Sequence, residues 1–222
     1  KVRLPYDLAV RAPVVGPVGS PAGAKVDAGF RPGGGPALPF VPLFPALERG
    51  NAMSIVTTLG FPRIGRRREL KKALEAHWNG ELDAAGLHAA AADLRHRHRS
   101  LMQAAGASVV PVNDFSLYDH VLDHALLFDA VPASHRPLLQ ADPLAGYFAL
   151  ARGHQGGGFD LRALEMTKWF DTNYHYLVPE LAPNQRFGLA GNKPLVELAE
   201  ARAQGLRARP VLLGPVSFLR LS

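Results

Sequence analysis

The sequence predicts an α/β fold, in which short strands alternate with amphipathic helices. Two observations support this prediction. Apolar residues recur at helical spacing in several segments, and short β-branched or apolar runs bounded by glycine, proline or asparagine separate those segments. Repeated alternation of strand and helix with short connections is typical of a parallel sheet. Periodicity alone does not distinguish a closed barrel from an open sheet.

The first 52 residues differ in composition from the rest of the chain. They contain 8 of the 22 glycines and 9 of the 19 prolines, which leaves little room for periodic structure. They lack a charged start followed by a continuous apolar run, so they are a poor signal peptide. We expect residues 1–52 to be a leader, disordered or non-native, that limited proteolysis removes. Met53 is then the natural start and residues 53–222 form the folded domain, whereas a genuine disordered extension is the alternative.

The first half of the folded domain is predicted as strand, helix, helix and strand. Residues 54–59 favour a strand, and the spacing of Leu70 and Leu74 favours the helix that follows it. A longer helix is expected over residues 83–105, ended by Gly106. The apolar run at 108–112 suits a buried parallel strand.

The second half of the folded domain has weaker signals. Asp114 is expected to open the next helix, and residues 131–159 are predicted to be rich in loops because prolines and glycines interrupt them. Helical spacing resumes at Leu161 and leads into an aromatic run. Strands are predicted at 187–190 and 210–218, on either side of a helix over 194–204 that begins with a proline and ends at Gly205.

The turn before the first helix carries an unusual concentration of positive charge, formed by Arg63, Arg66, Arg67 and Arg68. Each cation at a helix N-terminus is unfavourable by about 0.3–1 kcal/mol, and Glu69 offsets only part of this. Free N–H groups at a helix start, together with forked guanidinium donors, suit a carboxylate or phosphate. The pattern therefore predicts an anion-binding site, and a solvated basic face is the alternative.

Lys168 stands in the aromatic run, beside Trp169, Phe170, Tyr174 and Tyr176. These rings are interpreted either as a packed core wall or as a flat apolar surface for a ring-shaped ligand. A lysine among aromatic side chains must extend to solvent or meet an anion. Lys168 is therefore a further candidate anion-binding residue, in a second segment.

Several function classes receive little support. His120 and His124 are spaced i, i+4, but a pair without a third ligand indicates packing more often than zinc. The chain has no cysteine, which excludes a disulfide-stapled secreted fold. The net charge of +6 is spread along the chain and does not indicate a nucleic-acid partner. No stretch approaches the roughly 20 apolar residues of a membrane span, so we expect no membrane partner and a cytoplasmic location.

Four stretches, in this order, resemble the cobalamin-independent methionine synthases. They are GFPRIGRRRELKKALEAHW from Gly60, VVPVNDFSLYDHVLDHALL from Val109, EMTKWFDTNYHYLVPE from Glu165 and RPVLLGPVSFLRL from Arg209. The resemblance covers about residues 53–222 and is weaker between 131 and 164. It implies two (β/α)8 TIM-like barrels in a much longer chain, of which this chain holds about the first half of the N-terminal barrel.

The resemblance also implies an activity and its site residues. The activity is transfer of the methyl group of 5-methyltetrahydropteroyltri-L-glutamate to L-homocysteine, giving L-methionine. Arg67, Arg68, Glu69 and Leu70 match the RREL segment of the family, and Lys168 matches the lysine of its MTKW motif. These five residues are therefore implied to contact the folate triglutamate.

Zinc is the implied cofactor, because it lowers the thiol pKa of homocysteine. Its ligands, which include cysteines, are expected in a C-terminal barrel, so no catalytic residue and no metal ligand is expected in this chain. The full-length enzyme is expected to be a monomer, and this chain alone to be inactive. The alternatives are a truncated product without activity and a stand-alone module that binds polyanions or nucleic acids.

Overall fold

The computed structural model describes residues 55–222, which form a mixed α/β structure. The predicted leader over residues 1–52 lies outside the described residues. The helices are α1 (Glu69–Trp78), α2 (Ala84–Ala104), α3 (His120–Leu127), α4 (Arg136–Ala141), α5 (Pro143–Arg152), α6 (Lys193–Ala203) and α7 (Pro215–Arg220), with one 3-10 turn at Ala133–His135. The strands are β1 (Val110–Val112), β2 (His154–Gly156), β3 (Phe159–Leu161), β4 (Met166–Lys168), β5 (His175–Leu177) and β6 (Ala208–Pro210).

The first two helices and the helix before Gly205 lie where the sequence predicts them. Asp83 caps α2 by accepting a hydrogen bond from the Gly86 N–H, and the positive φ of 96° at Gly106 follows its end. Gly205, with a φ of 74°, follows α6 in the same way. Local capping and stop signals therefore located these helices correctly.

The sheet structure within residues 55–222 consists of three separate strand pairs. β1 and β6 are parallel, with Val110 opposite Ala208 and Val112 opposite Pro210. β2 with β3, and β4 with β5, form antiparallel hairpins. The α/β class is confirmed, but only one strand pair is parallel and no closed barrel is present in this part of the chain.

The prediction of a loop-rich region over 131–159 was wrong, because it contains α4, α5 and the β2–β3 hairpin. Pro137 and Pro143 lie in the first turns of α4 and α5, where a missing N–H costs nothing. Asp142 caps α5 by accepting hydrogen bonds from the N–H groups of Leu144 and Ala145. These prolines start helices and do not break them.

The predicted helical spacing from Leu161 was also wrong, since that residue ends β3. Residues 55–59 are not assigned as a strand, although the Val56 carbonyl accepts backbone hydrogen bonds from Ser108 and Val109. Residues 187–190 form no strand either, because Gly188 and Ala190 donate to carbonyls at the end of α3. The last predicted strand is shifted and short, and α7 follows it.

The main hydrophobic core lies between α1, α2, α3 and α5. Leu70, Leu87, Leu94, Leu122 and Leu150 are almost completely buried in it. A fully buried leucine contributes about 1.5–3 kcal/mol relative to an exposed one. This packing fixes the start of α1 and the loop before α3, which are the two supports of the candidate site.

Candidate anion-binding site

The arginine segment, residues 59–69, is a tight turn that leads into α1. Arg68 has a left-handed backbone conformation, with a φ of 61°, and its N–H donates to the Gly65 carbonyl. The Leu70 N–H donates to the Ile64 carbonyl. The turn is therefore closed by its own backbone hydrogen bonds.

This closure leaves fewer free N–H groups at the start of α1 than the sequence suggested. Besides the Leu70 N–H, the Arg67 N–H is used, because it donates to Glu69 Oε2 at 2.8 Å. The Glu69 carboxylate also meets Arg97 at 3.3 Å. Hydrogen bonds from the backbone N–H groups of Glu69 and Arg67 lower the pKa of Glu69, so this carboxylate stays charged within the turn.

The side chains of Arg67 and Arg68 are exposed and point away from the core. Neither guanidinium forms an ion pair with another residue of the described range. Leu70, in contrast, is completely buried in the main core. Of the four matched RREL residues, only the two arginines therefore present side chains that an anion can reach, while Glu69 and Leu70 fix the turn.

Lys168 ends β4 and lies opposite His175 of β5. Its side chain is exposed and forms no ion pair within residues 55–222. The aromatic run divides between the two predicted roles, because Tyr176 is buried while Phe170 is 66% exposed. Trp169 contacts both of these rings edge to face. No hydrogen bond joins Lys168 to the arginine segment in the described structure.

The support loop, residues 113–119, lies between the arginine segment and α3. Arg63 donates to three successive carbonyls of this loop, those of Ser116, Leu117 and Tyr118. Asp114 accepts a hydrogen bond from the Phe61 N–H at 2.9 Å. The arginine segment is therefore fastened to the support loop by Arg63 and Asp114. Asp114 does not open the following helix, as the sequence predicted.

Asp119 opens α3 and also contacts the lysine hairpin, which is β4, β5 and the turn between them. Its Oδ2 accepts from the N–H groups of Leu122 and Leu177, at 2.9 and 3.2 Å. Its Oδ1 accepts from the Tyr174 hydroxyl at 2.7 Å. Burial raises the pKa of Asp119, and burial together with the nearby Asp119 raises that of Tyr174.

An ion network is buried beneath the support loop. The Lys193 ammonium donates to Asn113 Oδ1 at 3.0 Å and to the Phe115 carbonyl at 2.6 Å, and it meets Asp123 at 3.3 Å and Glu197 at 3.0 Å. Burial alone would lower the pKa of Lys193, but the two carboxylates outweigh burial and raise it. No motif in the sequence indicated this structural role of Lys193.

An open cavity of about 400 Å³ lies between the arginine segment and the carboxyl end of β1. Its lining mixes apolar residues with one carboxylate and one imidazole. The lining residues are Leu59, Gly60, Phe61, Pro62, Asp114, His120 and Val211.

The histidine pair packs in the structure, with 4.4 Å between the ring centroids of His120 and His124. His124 donates from Nδ1 to the His120 carbonyl at 2.8 Å and accepts at Nε2 from the Leu213 N–H at 3.0 Å. Burial lowers the pKa of both rings, that of His120 to about 3. Because both nitrogens of His124 are used, this pair does not fit a zinc site. No group of three or more potential metal ligands occurs among residues 55–222.

The comparisons with known proteins agree with the sequence resemblance. The domain described as the N-terminal domain of the cobalamin-independent synthases matches residues 55–222. The chain belongs to this family. The Xylella fastidiosa (strain M23) 5-methyltetrahydropteroyltriglutamate–homocysteine methyltransferase is 66% identical over 170 residues, which are 77% of this chain and 22% of that protein.

Further relatives carry the same name. The Acidiphilium cryptum protein is 59% identical over 172 residues, and the Streptomyces avermitilis protein is 53% identical over 171 residues. In both cases the match covers 77% of this chain and 22% of the relative. The chain thus spans about a fifth of the length of the curated relatives it matches.

None of the helices described here is long and apolar enough to span a bilayer.

Proposed function

We propose that this chain supplies the folate-binding N-terminal segments of a methyltransferase of methionine biosynthesis. The proposed reaction transfers the methyl group of 5-methyltetrahydropteroyltri-L-glutamate to L-homocysteine and gives L-methionine. The names of the relatives support the reaction, since each is a 5-methyltetrahydropteroyltriglutamate–homocysteine methyltransferase.

The observation that carries the proposal is a set of three cations that form no ion pair within residues 55–222, on two segments held by hydrogen bonds to the support loop. Arg67 and Arg68 lie on the arginine segment, and Lys168 lies on the lysine hairpin, all with exposed side chains. Three γ-linked glutamates form a flexible polyanion, and guanidinium groups bind carboxylates with two parallel hydrogen bonds. The proposed role of these three residues is to hold the glutamate tail, while Glu69 and Leu70 shape the turn.

The rest of the enzyme belongs to the proposal too. The segment would form part of a (β/α)8 barrel completed by chain beyond these residues, in a cytoplasmic enzyme that is monomeric at full length. Zinc and homocysteine would bind outside residues 55–222, where the expected cysteine ligands of the zinc lie, since this chain contains no cysteine.

The test uses a full-length chimera in which residues 55–222 replace the matching segment of the Xylella relative. Arg67→Ala and Lys168→Ala are each expected to raise the KM for the triglutamate folate about tenfold or more. This magnitude follows from a charge-assisted hydrogen bond, which contributes roughly 1.5–3 kcal/mol. The KM for homocysteine should stay unchanged, and the monoglutamate folate, with fewer carboxylates, should be affected less.

Arg66→Ala is the matched control, because Arg66 is exposed on the same turn and its loss changes the net charge equally. If the alanine variants of Arg66, Arg67 and Lys168 all raise the KM for the triglutamate folate equally, the effect is a general electrostatic one. That result would contradict a tail-binding site. Arg67→Lys should restore only part of the affinity, since an ammonium cannot form the forked pair. An equal rise in KM for the monoglutamate and triglutamate substrates would show that the arginines do not bind the glutamate tail.

A further inference from the structure

We propose that Asp119 is a positioning residue that holds the lysine hairpin, and with it Lys168, in the geometry that binds the folate tail. The inference rests on the proposed function, because it assumes that Lys168 contacts the substrate. Asp119 itself lies outside the lysine hairpin, at the start of α3.

A short hairpin such as β4–β5 needs an external support. Each of its strands has three residues, and an isolated two-stranded hairpin is marginally stable in water. The turn between the strands contains Phe170 with a strained φ of 49°. Tyr176 and Leu177 of β5 are both buried, whereas all three residues of β4 are exposed. The position of Lys168 therefore depends on how β5 is held.

Asp119 holds β5 at two points with one carboxylate. Oδ2 binds the Leu177 N–H, and Oδ1 binds the Tyr174 hydroxyl just before β5. The carboxylate is itself fixed, because it is only 2% exposed and also accepts from the Leu122 N–H in the first turn of α3. Two bonds on either side of His175, the partner of Lys168, define the orientation of that strand.

The same loop that ends in Asp119 also supports the arginine segment. Arg63 binds the carbonyls of residues 116–118, immediately before Asp119. The two proposed tail-binding segments therefore both form hydrogen bonds with the support loop. Asp119 is the point at which the lysine hairpin joins this support.

The principal test is Tyr174→Phe, which removes one hydroxyl and leaves the cap of α3 intact. In the 222-residue chain, hydrogen exchange of the Trp169 and Leu177 amides should become roughly tenfold faster, because the hairpin opens more often. In the full-length chimera, the KM for the triglutamate folate should rise roughly three- to tenfold, with kcat and the KM for homocysteine unchanged. Asp119→Asn, which keeps an acceptor for the cap but loses the charge, should act in the same direction.

Tyr176→Phe is the matched control. Tyr176 follows Tyr174 by two residues and lies within β5, and its hydroxyl makes no hydrogen bond with the described residues. This variant should leave both exchange and KM near the wild-type values. An equal effect of the two tyrosine variants would overturn the role of the Tyr174–Asp119 hydrogen bond.

A double-variant cycle separates positioning from general stability. If Tyr174 and Asp119 act through Lys168, then Tyr174→Phe should have no further effect on KM in a Lys168→Ala background. If the fold-changes in KM of Tyr174→Phe and Lys168→Ala multiply in the double variant, the proposal is overturned. So would faster exchange of the hairpin amides without any change in KM, since the contact would then be structural only.

The two proposals fail in different ways. An unchanged KM in Lys168→Ala would remove Lys168 from the folate site and take the positioning role with it. A large effect of Lys168→Ala, combined with wild-type exchange and KM in Tyr174→Phe, would overturn the positioning role and leave the proposed function intact.

Discussion

Replacement of Lys193 by methionine is expected to destabilise the fold more than any loss of a surface charge. The side chain is 6% exposed, and its ammonium lies between the carboxylates of Asp123 and Glu197. Asp123 Oδ2 and Glu197 Oε1 have no hydrogen-bond partner in the described structure, so the ammonium charge is their main compensation. Lys193→Met fills a similar volume but leaves Asp123 buried without a cation, and it leaves Glu197 with only Arg99, at 4.0 Å.

The expected loss in the free energy of unfolding is about 3–5 kcal/mol, the usual cost of breaking a buried ion pair from one side. The same substitution frees the Phe115 carbonyl and Asn113 Oδ1, which adds to the cost. Urea unfolding of the 222-residue chain at pH 7 measures this quantity directly. Adding Glu197→Gln to Lys193→Met should recover part of the lost free energy of unfolding, because it removes one of the buried negative charges.

Lys71→Met is the matched control. Lys71 pairs with Glu75 at 3.4 Å, but both side chains are about half exposed, at 47% and 52%. A surface pair of this kind contributes about 0–1 kcal/mol. A loss below about 1 kcal/mol for Lys193→Met, comparable to the control, would refute the reasoning that the network supports the loop.

Two further predictions concern protons and metal. Burial lowers the pKa of both histidines, that of His120 to about 3. In the unfolded chain a histidine has a pKa of about 6.5. Below that pH the unfolded chain therefore binds protons at these histidines that the folded chain does not bind. Stability should therefore fall from pH 7 to pH 5, by up to about 1.4 kcal/mol per pH unit for each histidine, and urea midpoints of His120→Gln should show a shallower slope. Burial raises the pKa values of Asp114 and Asp119, so the folded chain takes up protons at these carboxylates more readily than the unfolded chain does. This offsets part of the loss of stability as the pH falls further. After dialysis, metal analysis of the 222-residue chain should find no stoichiometric zinc and assays should find no methionine synthesis; one tightly bound zinc per chain would assign the metal to these residues.

The helices could be predicted where local chemistry defines their ends. α2 has an aspartate cap and a glycine stop, and both signals depend only on neighbouring residues. The helices α4 and α5 were missed because Pro137 and Pro143 were interpreted as breakers, although proline is favoured in a first turn. The strands were poorly predicted for a different reason. Each has three residues, which is too short for a period, and β1 pairs with β6 almost a hundred residues away.

The candidate site divides in the same way between local and distant information. Arg67, Arg68 and Lys168 could be proposed from residue type and motif alone, because exposed cations need no partner to be recognised. Their supports could not be, because each depends on a contact between distant residues: Arg63 reaches residues 116–118, and Asp119 reaches Tyr174, 55 residues along the chain.

Asp119 illustrates why sequence alone cannot supply the second kind of information. Asp119 caps α3 by accepting a hydrogen bond from the Leu122 N–H, although the sequence pointed to Asp114 as the start of this helix. A cap uses only one acceptor, however, and a carboxylate offers several. The remaining acceptors of a buried carboxylate must also be satisfied, and which donors satisfy them is decided by the tertiary fold. Here the donors come from the lysine hairpin, so a residue that is locally a helix cap also determines where Lys168 stands.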